Sequence, residues 1–302
     1  MAYTILRVHW DGGALDITKA RLRFIAAMVL YGTIGPMTRF IDIPSEVVVL
    51  LRGVVGTLFV LLFMRIRGIE VNRDAIRSNL ALLLVSGATL GLNWVFLFAA
   101  YSHTTVAIAS LCNYMAPIVI IALSPFLFGE KLGPKRLACV VAAVAGILLV
   151  SDLPSIVSGE VNLTGIMLGF ASAACFVIIV ICNKLMAGVS GYDRVLMQLG
   201  ASAIIVLPYV LLVHHGIPLE ADLRSWVLAG VLCLVQTGFA YVLYFSAMGD
   251  LPAQEVALMS YIEPALSVLG SALILHEPLG IAGTIGAVMI IAAAAVGEVV
   301  QE

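Results

Sequence analysis

The sequence predicts an all-α membrane protein, with ten transmembrane helices arranged as two inverted five-helix repeats. Three observations predict it. Of the 302 residues, 62% are hydrophobic and 11% are charged, against roughly half and about a quarter in soluble domains. The apolar residues gather into ten runs near the ~20 residues that a membrane helix needs. The second half of the chain repeats the first at an offset of 147 residues. The net charge of −2 points to no nucleic-acid partner, because the basic residues are dispersed among the links between runs.

Residues 1–19 form an N-terminal tail. Acidic residues interrupt it and no small-residue cleavage site follows a short apolar core, so it does not read as a signal peptide. A disordered tail, a cloning remnant and an interfacial segment stay open. The expected spans follow at 20–38, 46–65, 79–101, 104–127, 134–151, 163–184, 192–213, 224–247, 253–275 and 279–298. "YSHT" after Tyr101 and "HEPLG" before Ile281 leave room only for tight helical hairpins.

Lys and Arg in the links set the orientation. With the N-terminus cytoplasmic, thirteen of them lie on the inner side and only Arg39 and Arg224 on the outer side. Arg52 lies within a span. Both termini are therefore expected in the cytoplasm of a cell whose plasma membrane, the bacterial inner membrane, holds the chain. The five cysteines, Cys112, Cys139, Cys175, Cys182 and Cys233, all fall in apolar runs and form no CxxC pair. They read as small apolar filler, and neither a metal, a cofactor nor a disulfide is expected.

The repeat fixes the domain organisation. "NYMAPIVIIALSPFLFGEKLG" at 113–133 lies over "SYIEPALSVLGSALILHEPLG" at 260–280. Tyr114 meets Tyr261, Pro117 meets Pro264, Glu130 meets Glu277, and the same offset pairs Trp94 with Tyr241 and Gly53 with Gly200. The units are expected at 20–152 and 160–298. Each holds five spans, an odd number, so the second must enter the membrane from the opposite side. Inverted repeats are typical of secondary transporters, whose sites lie near the midplane between the repeats; channels and enzymes carry them too.

The two copies resemble paired EamA domains of the drug/metabolite transporter (DMT) superfamily. The resemblance rests on "LLRGVVG" at 50–56, on "YMAPIVIIALSPFLFGEKLG" at 114–133 and on "YIEPALSVLGSALILHEPLG" at 261–280, and it covers nearly the whole chain. It implies a ten-helix transporter, similar to the YddG-like exporters of amino acids, with a small-molecule substrate. The motifs are family-wide and name no substrate.

Several residues stand out as candidates. Glu263 lies within roughly 2 Å of the middle of its span, at 1.5 Å per residue, and no other acidic residue lies so deep. A carboxyl there binds a substrate amine or a proton, or it locks two helices through a backbone carbonyl. Its repeat partner is Ala116, so its chemistry is asymmetric. Pro117 and Pro264 share a register and predict paired kinks, since proline removes a helix hydrogen bond and freed carbonyls at that depth are tolerated beside a cavity or other protein. Asn93, Trp94, Tyr114, Gln236, Tyr241, Tyr244 and Tyr261 gather at related depths. Rings with one polar tip suit amphipathic metabolites and cations, although core packing explains each singly. Tyr101, Tyr192, Tyr209 and Trp226 read as interfacial belt.

Arg52 sits about 9 Å into its span from the outer side, at 1.5 Å per residue. It has three readings: snorkelling outward, holding a substrate carboxylate, or supporting the fold. Glu130 and Glu277 are expected to cap the helices that follow them. Gly87/Gly91 and Gly165/Gly169 have the GxxxG spacing that lets helices approach closely. "GIAGTIG" at 280–286 packs the last span, within the chain or across a homodimer; monomer and homodimer both stay open.

The leading function is a secondary transporter in the lipid bilayer that exports amino acids or related small metabolites. It works by alternating access through a midplane cavity between the repeats. The alternatives are a facilitator or uptake carrier for another amphipathic metabolite or cation, an intramembrane enzyme and a channel. The sequence has no HExxH, GxSG or GxGD and no phosphate-cradling loop, so neither catalysis nor an ATP-driven pump is expected.

Overall fold

The computed structural model describes residues 14–128, 133–150, 163–214, 221–248, 250–251, 256, 259–277 and 279–299. Among these, every regular element is helical. The first repeat contributes α1 (Ala14–Gly32), α2 (Ile34–Thr38), α3 (Ser45–Ile66), α4 (Arg73–Ser78), α5 (Leu80–His103), α6 (Val106–Asn113), α7 (Ala116–Phe128) and α8 (Pro134–Val150). The second contributes α9 (Leu163–Leu185), α10 (Gly191–His214), α11 (Leu223–Val231), a π-helical stretch (Leu232–Phe239), α12 (Ala240–Met248), α13 (Ile262–Ile274) and α14 (Ile281–Val299). Helix, whole or broken, thus stands in each of the ten apolar runs. Five stretches are long and apolar enough to cross a membrane: Ser45–Ile66, Leu80–His103, Leu163–Leu185, Gly191–Leu212 and Leu223–Ala247.

Local chemistry starts these helices. Asn72 accepts from the Ala75 amide to open α4, Thr105 from Ile108 to open α6, and Asp222 from Ser225 to open α11. Each side chain satisfies one of the amides that a helix start leaves without a partner. Hydrogen bonds from Ser225 also hold the exposed Asp222 carboxyl below the usual carboxylate range. The paired prolines act more strongly than the kinks the sequence suggests. The fourth run breaks completely at Tyr114–Met115, and Pro117 stands in the first turn of α7. Pro264 likewise stands in the first turn of α13, after a turn at Tyr261. Proline is well tolerated in a first turn, where its missing amide proton would have no partner anyway.

The packing map keeps its form when the two repeats are exchanged. Two contacts map onto themselves: α3 on α10 and α8 on α14. Three others come in related pairs. The contact of α5 with α9 matches α12 with α1, that of α5 with α10 matches the π stretch with α3, and that of α7 with α9 matches α13 with α1. Small residues permit the closest crossings. A Cβ added to Gly53 would lie 2.9 Å from the Ala203 Cβ, and one on Gly87 would lie 2.5 Å from the Ala201 Cβ. Gly165 and Gly169 serve α9 in the same way, against Thr104 and Cys112. Gly286, in the "GIAGTIG" stretch, meets Gly146 of α8 within the chain. The outward faces carry large apolar side chains, among them Leu58, Leu62, Ile204, Leu212 and Leu273, each at least 59% exposed. Such a surface suits hydrocarbon and not water.

Candidate functional site

Arg52 does not snorkel. Its residue is 3% exposed, and its guanidinium lies 3.8 Å from the centroid of the Trp94 ring and 5.3 Å from that of Phe98. Its Nε donates to Thr237 Oγ1 at 3.0 Å. Thr237 donates in turn to the carbonyl of Leu232 at 3.0 Å, which leaves its oxygen lone pairs facing the arginine. Among the described residues no carboxylate lies within 4.0 Å of this cation. A buried charge held by stacking and one neutral hydrogen bond keeps donors for an anionic group.

The π stretch positions that contact. Its wider turn carries Gln236, Thr237 and Gly238. Gly238 admits Phe59 of α3, whose ring carbon would lie 2.5 Å from an added Cβ. The matching part of the first repeat, within α5, is ordinary α-helix, so this feature belongs to one repeat alone. π-helical turns inside α-helices frequently mark functional sites.

Around Arg52 the structure gathers most of the residues singled out by sequence. Tyr241 and Tyr244 pack on Tyr31 of α1, with ring centroids 5.6 and 6.3 Å apart. The Tyr114 hydroxyl lies within hydrogen-bonding reach of the Glu263 carboxyl. Glu263 lies within electrostatic reach of Arg52, Tyr31, Tyr101 and Tyr241, and Tyr261 lies beside Tyr114. Glu263 and Tyr114 are half-buried. Gln236 donates to Thr33 Oγ1 at 2.6 Å. Its Oε1 and the Tyr31 hydroxyl are buried with no partner, which is rare for polar atoms unless a water or ligand completes them. Elements of both repeats contribute, so one arginine and one carboxylate face a common region framed by tyrosines.

Asn93 stands apart from this cluster. Its Nδ2 donates to the Ser172 carbonyl (2.8 Å), to Ser172 Oγ (2.8 Å) and to Asn113 Oδ1 (3.1 Å). One position along α5 turns a side chain by about 100°, so Trp94 faces Arg52 while Asn93 ties α5 to α6 and α9.

Three sequence readings need correction or completion. Tyr101 is not interfacial: it is 5% exposed, stacks on Phe98 at 5.9 Å and meets Ser110 Oγ at 3.3 Å. Glu277 does not reach for the helix after it. Its Oε2 accepts from the Val106 amide at 3.2 Å and so caps α6 of the other repeat. Glu130 lies outside the described residues. Sequence reasoning also missed Tyr31 and Thr237. Tyr31 resembles any interfacial tyrosine in sequence, and the partner of Thr237 lies 185 positions away.

A cavity of about 270 Å³ opens next to the cluster, lined by Arg39, Glu46, Phe98, Tyr101 and Ser102 among others. Phe98 lines it and also lies against the Arg52 guanidinium.

Comparisons with known proteins agree with one another. The EamA-like transporter family matches residues 18–152 and again 163–296. The chain is similar to the uncharacterized transporter YxxF of Bacillus subtilis, 24% identical over 91% of this chain and 88% of that protein. It is similar to a probable amino-acid metabolite efflux pump of Salmonella typhimurium, 29% identical over 70% of this chain and 75% of that protein. The pseudopaline exporter CntI of Pseudomonas aeruginosa is 27% identical over 61% of this chain and 62% of its own length. One crystal structure superposes with a TM-score of 0.66 over 92% of this chain and 96% of that chain, at 22% identity, which shows a shared fold.

Proposed function

Because this chain belongs to the EamA-like transporter family of the DMT superfamily, we propose that it is a secondary carrier exporting amino acids or closely related metabolites by alternating access. Ten spans in two inverted repeats, at 20–152 and 160–298, set the frame, with both termini in the cytoplasm of a bacterial cell. The exchange-invariant packing supports the two-fold relation, and the asymmetry of Lys and Arg between the links supports the orientation.

The single observation that carries the substrate reading is the pairing of Arg52 with Glu263 across a tyrosine-lined region. Arg52 offers donors to a carboxylate. Glu263, backed by Tyr114, accepts an ammonium group. Trp94, Tyr241 and Tyr244 offer ring faces to the apolar part of the substrate. A molecule with both charges and an apolar body satisfies all three. The names of two relatives, one a probable amino-acid metabolite efflux pump and one an exporter, point the same way. The cavity at Arg39, Phe98 and Tyr101 is the route toward the outer side.

Proteoliposome uptake with labelled amino acids, amines and sugars tests the proposal. Saturable flux of a zwitterionic compound is expected. It should fall at least about tenfold in Glu263→Gln, a loss of the order of one charge-assisted hydrogen bond. Flux confined to sugars, or flux untouched by Glu263→Gln in a well-folded protein, would overturn it.

A further inference from the structure

Helix α6 of the first repeat and α13 of the second pack against each other, and polar pairs join them at regular steps. At one end, Ser271 Oγ accepts from the Ala107 amide at 3.3 Å and donates to Glu277 Oε2 at 2.9 Å. One turn further, the hydroxyls of Ser110 and Ser267 meet at 2.7 Å. One turn further again, the Tyr114 hydroxyl faces the Glu263 carboxyl. Positions 107, 110 and 114 thus face 271, 267 and 263, three or four residues per step on one helix and four on the other. That is the spacing of one face of an α-helix. The seam is antiparallel, polar and wholly between repeats.

The far end of the seam is clamped. Arg39, just after α2, donates to Glu277 Oε1 at 2.7 Å and to the Thr104 carbonyl at 2.9 Å. The two side chains are 31% and 22% exposed. His276, immediately before Glu277, has φ of 54°, a conformation uncommon outside glycine. Such strain persists where surrounding contacts demand it, and here it turns Glu277 toward α6. Arg39 also lines the 270 Å³ cavity.

We propose that this seam is the outer gate of the carrier, with the Arg39–Glu277 pair as its lock and Glu263 as its foot. The inference rests on the transport reading above. An ammonium group arriving at Glu263 competes with Tyr114 for the carboxylate and loosens the lowest rung. The serine rungs are short and singly weak, so the seam parts without unpacking a core. Arg39, once released from Glu277, is left facing the cavity, where it meets the departing carboxylate.

Hydrogen-exchange mass spectrometry on the full-length protein in liposomes, without substrate, tests the gate. Arg39→Gln leaves the Glu277 cap on α6 intact. Glu277→Gln keeps an acceptor for Val106 but removes the charge. Each is expected to speed exchange about two- to fivefold in segments 104–113 and 262–275, the scale of a partly exposed ion pair. The α8 and α14 segments should not change. The double variant should exceed neither single by much, because both remove one interaction. Glu263→Gln should also speed exchange at 104–109, two rungs away. Unchanged exchange in α6, a uniform rise over the whole chain, additive singles, or a Glu263→Gln effect confined to its own rung would each overturn the proposal. These outcomes leave the transport reading standing. A wild-type protein that moves none of the labelled compounds would instead defeat that reading and leave the exchange result intact.

Discussion

A guanidinium 3% exposed, with no carboxylate within 4.0 Å among the described residues, has been desolvated at considerable cost. The contacts that offset this cost can be tested one at a time. Thr237→Val should leave Arg52 Nε without its partner and lower stability by about 1–3 kcal/mol, read as a lower Tm in detergent, with Thr237→Ser restoring it. Arg52→Lys keeps the charge but loses the planar stack on Trp94 and the Nε donor. It should cut transport at least about tenfold while expression stays near wild type. If Arg52→Lys transports normally, the arginine serves the fold alone. Glu263 was legible in the sequence because a carboxylate at mid-span has few bland explanations. Arg52 was legible as an odd charge, but its environment was not. Trp94 and Thr237 reach it from other helices, and no local pattern encodes such distant pairing. Tyr101 misled for the opposite reason: closeness to a span end suggested an interface, while Ser110 and Phe98 draw it inside.

At the level of elements, the sequence placed the helices well because each run of apolar residues is bounded by turn-forming or charged residues. It misjudged how those runs are interrupted. The paired prolines stand just after an interruption, since a turn precedes each and the helix restarts one or two residues before the proline. The π stretch left no signal at all, because its residues have no propensity that distinguishes it from α-helix. Glycine spacing was the better guide. Gly87→Ala should cost about 1–3 kcal/mol, as its Cβ would lie 2.5 Å from Ala201 and 2.8 Å from the Gln198 carbonyl oxygen. Gly230→Ala, where an added Cβ meets nothing within 4 Å, should be neutral or stabilise by up to about 1 kcal/mol through the unfolded chain. Thermal unfolding of the two variants side by side separates helix crossing from helix propensity. Equal shifts would show that the α5–α10 crossing is looser than its geometry implies.

At the scale of the whole molecule, direction is decisive. Two copies of an odd-membered helical unit lie in one bilayer only if their corresponding points face opposite sides. The offset of 147 residues makes this concrete, because it pairs His103, at the end of α5, with Asp250, just after α12. Both positions are exposed, and the five native cysteines are buried, so background labelling by a bulky, membrane-impermeant thiol reagent should be low. In intact cells His103→Cys should react and Asp250→Cys should not. In inverted membrane vesicles the pattern should reverse. The charge bias fixes which way round this falls: Arg21, Arg23, Arg65 and Arg67 crowd the side assigned to Asp250, and basic links stay cytoplasmic. Arg23 itself pairs with Asp250 at 3.1 Å, consistent with one shared face. Both cysteines reacting from the same side would contradict inversion, and with it the proposed site between the two repeats. A swap of the two results would keep the inversion and reverse only the direction in which the seam of α6 and α13 opens.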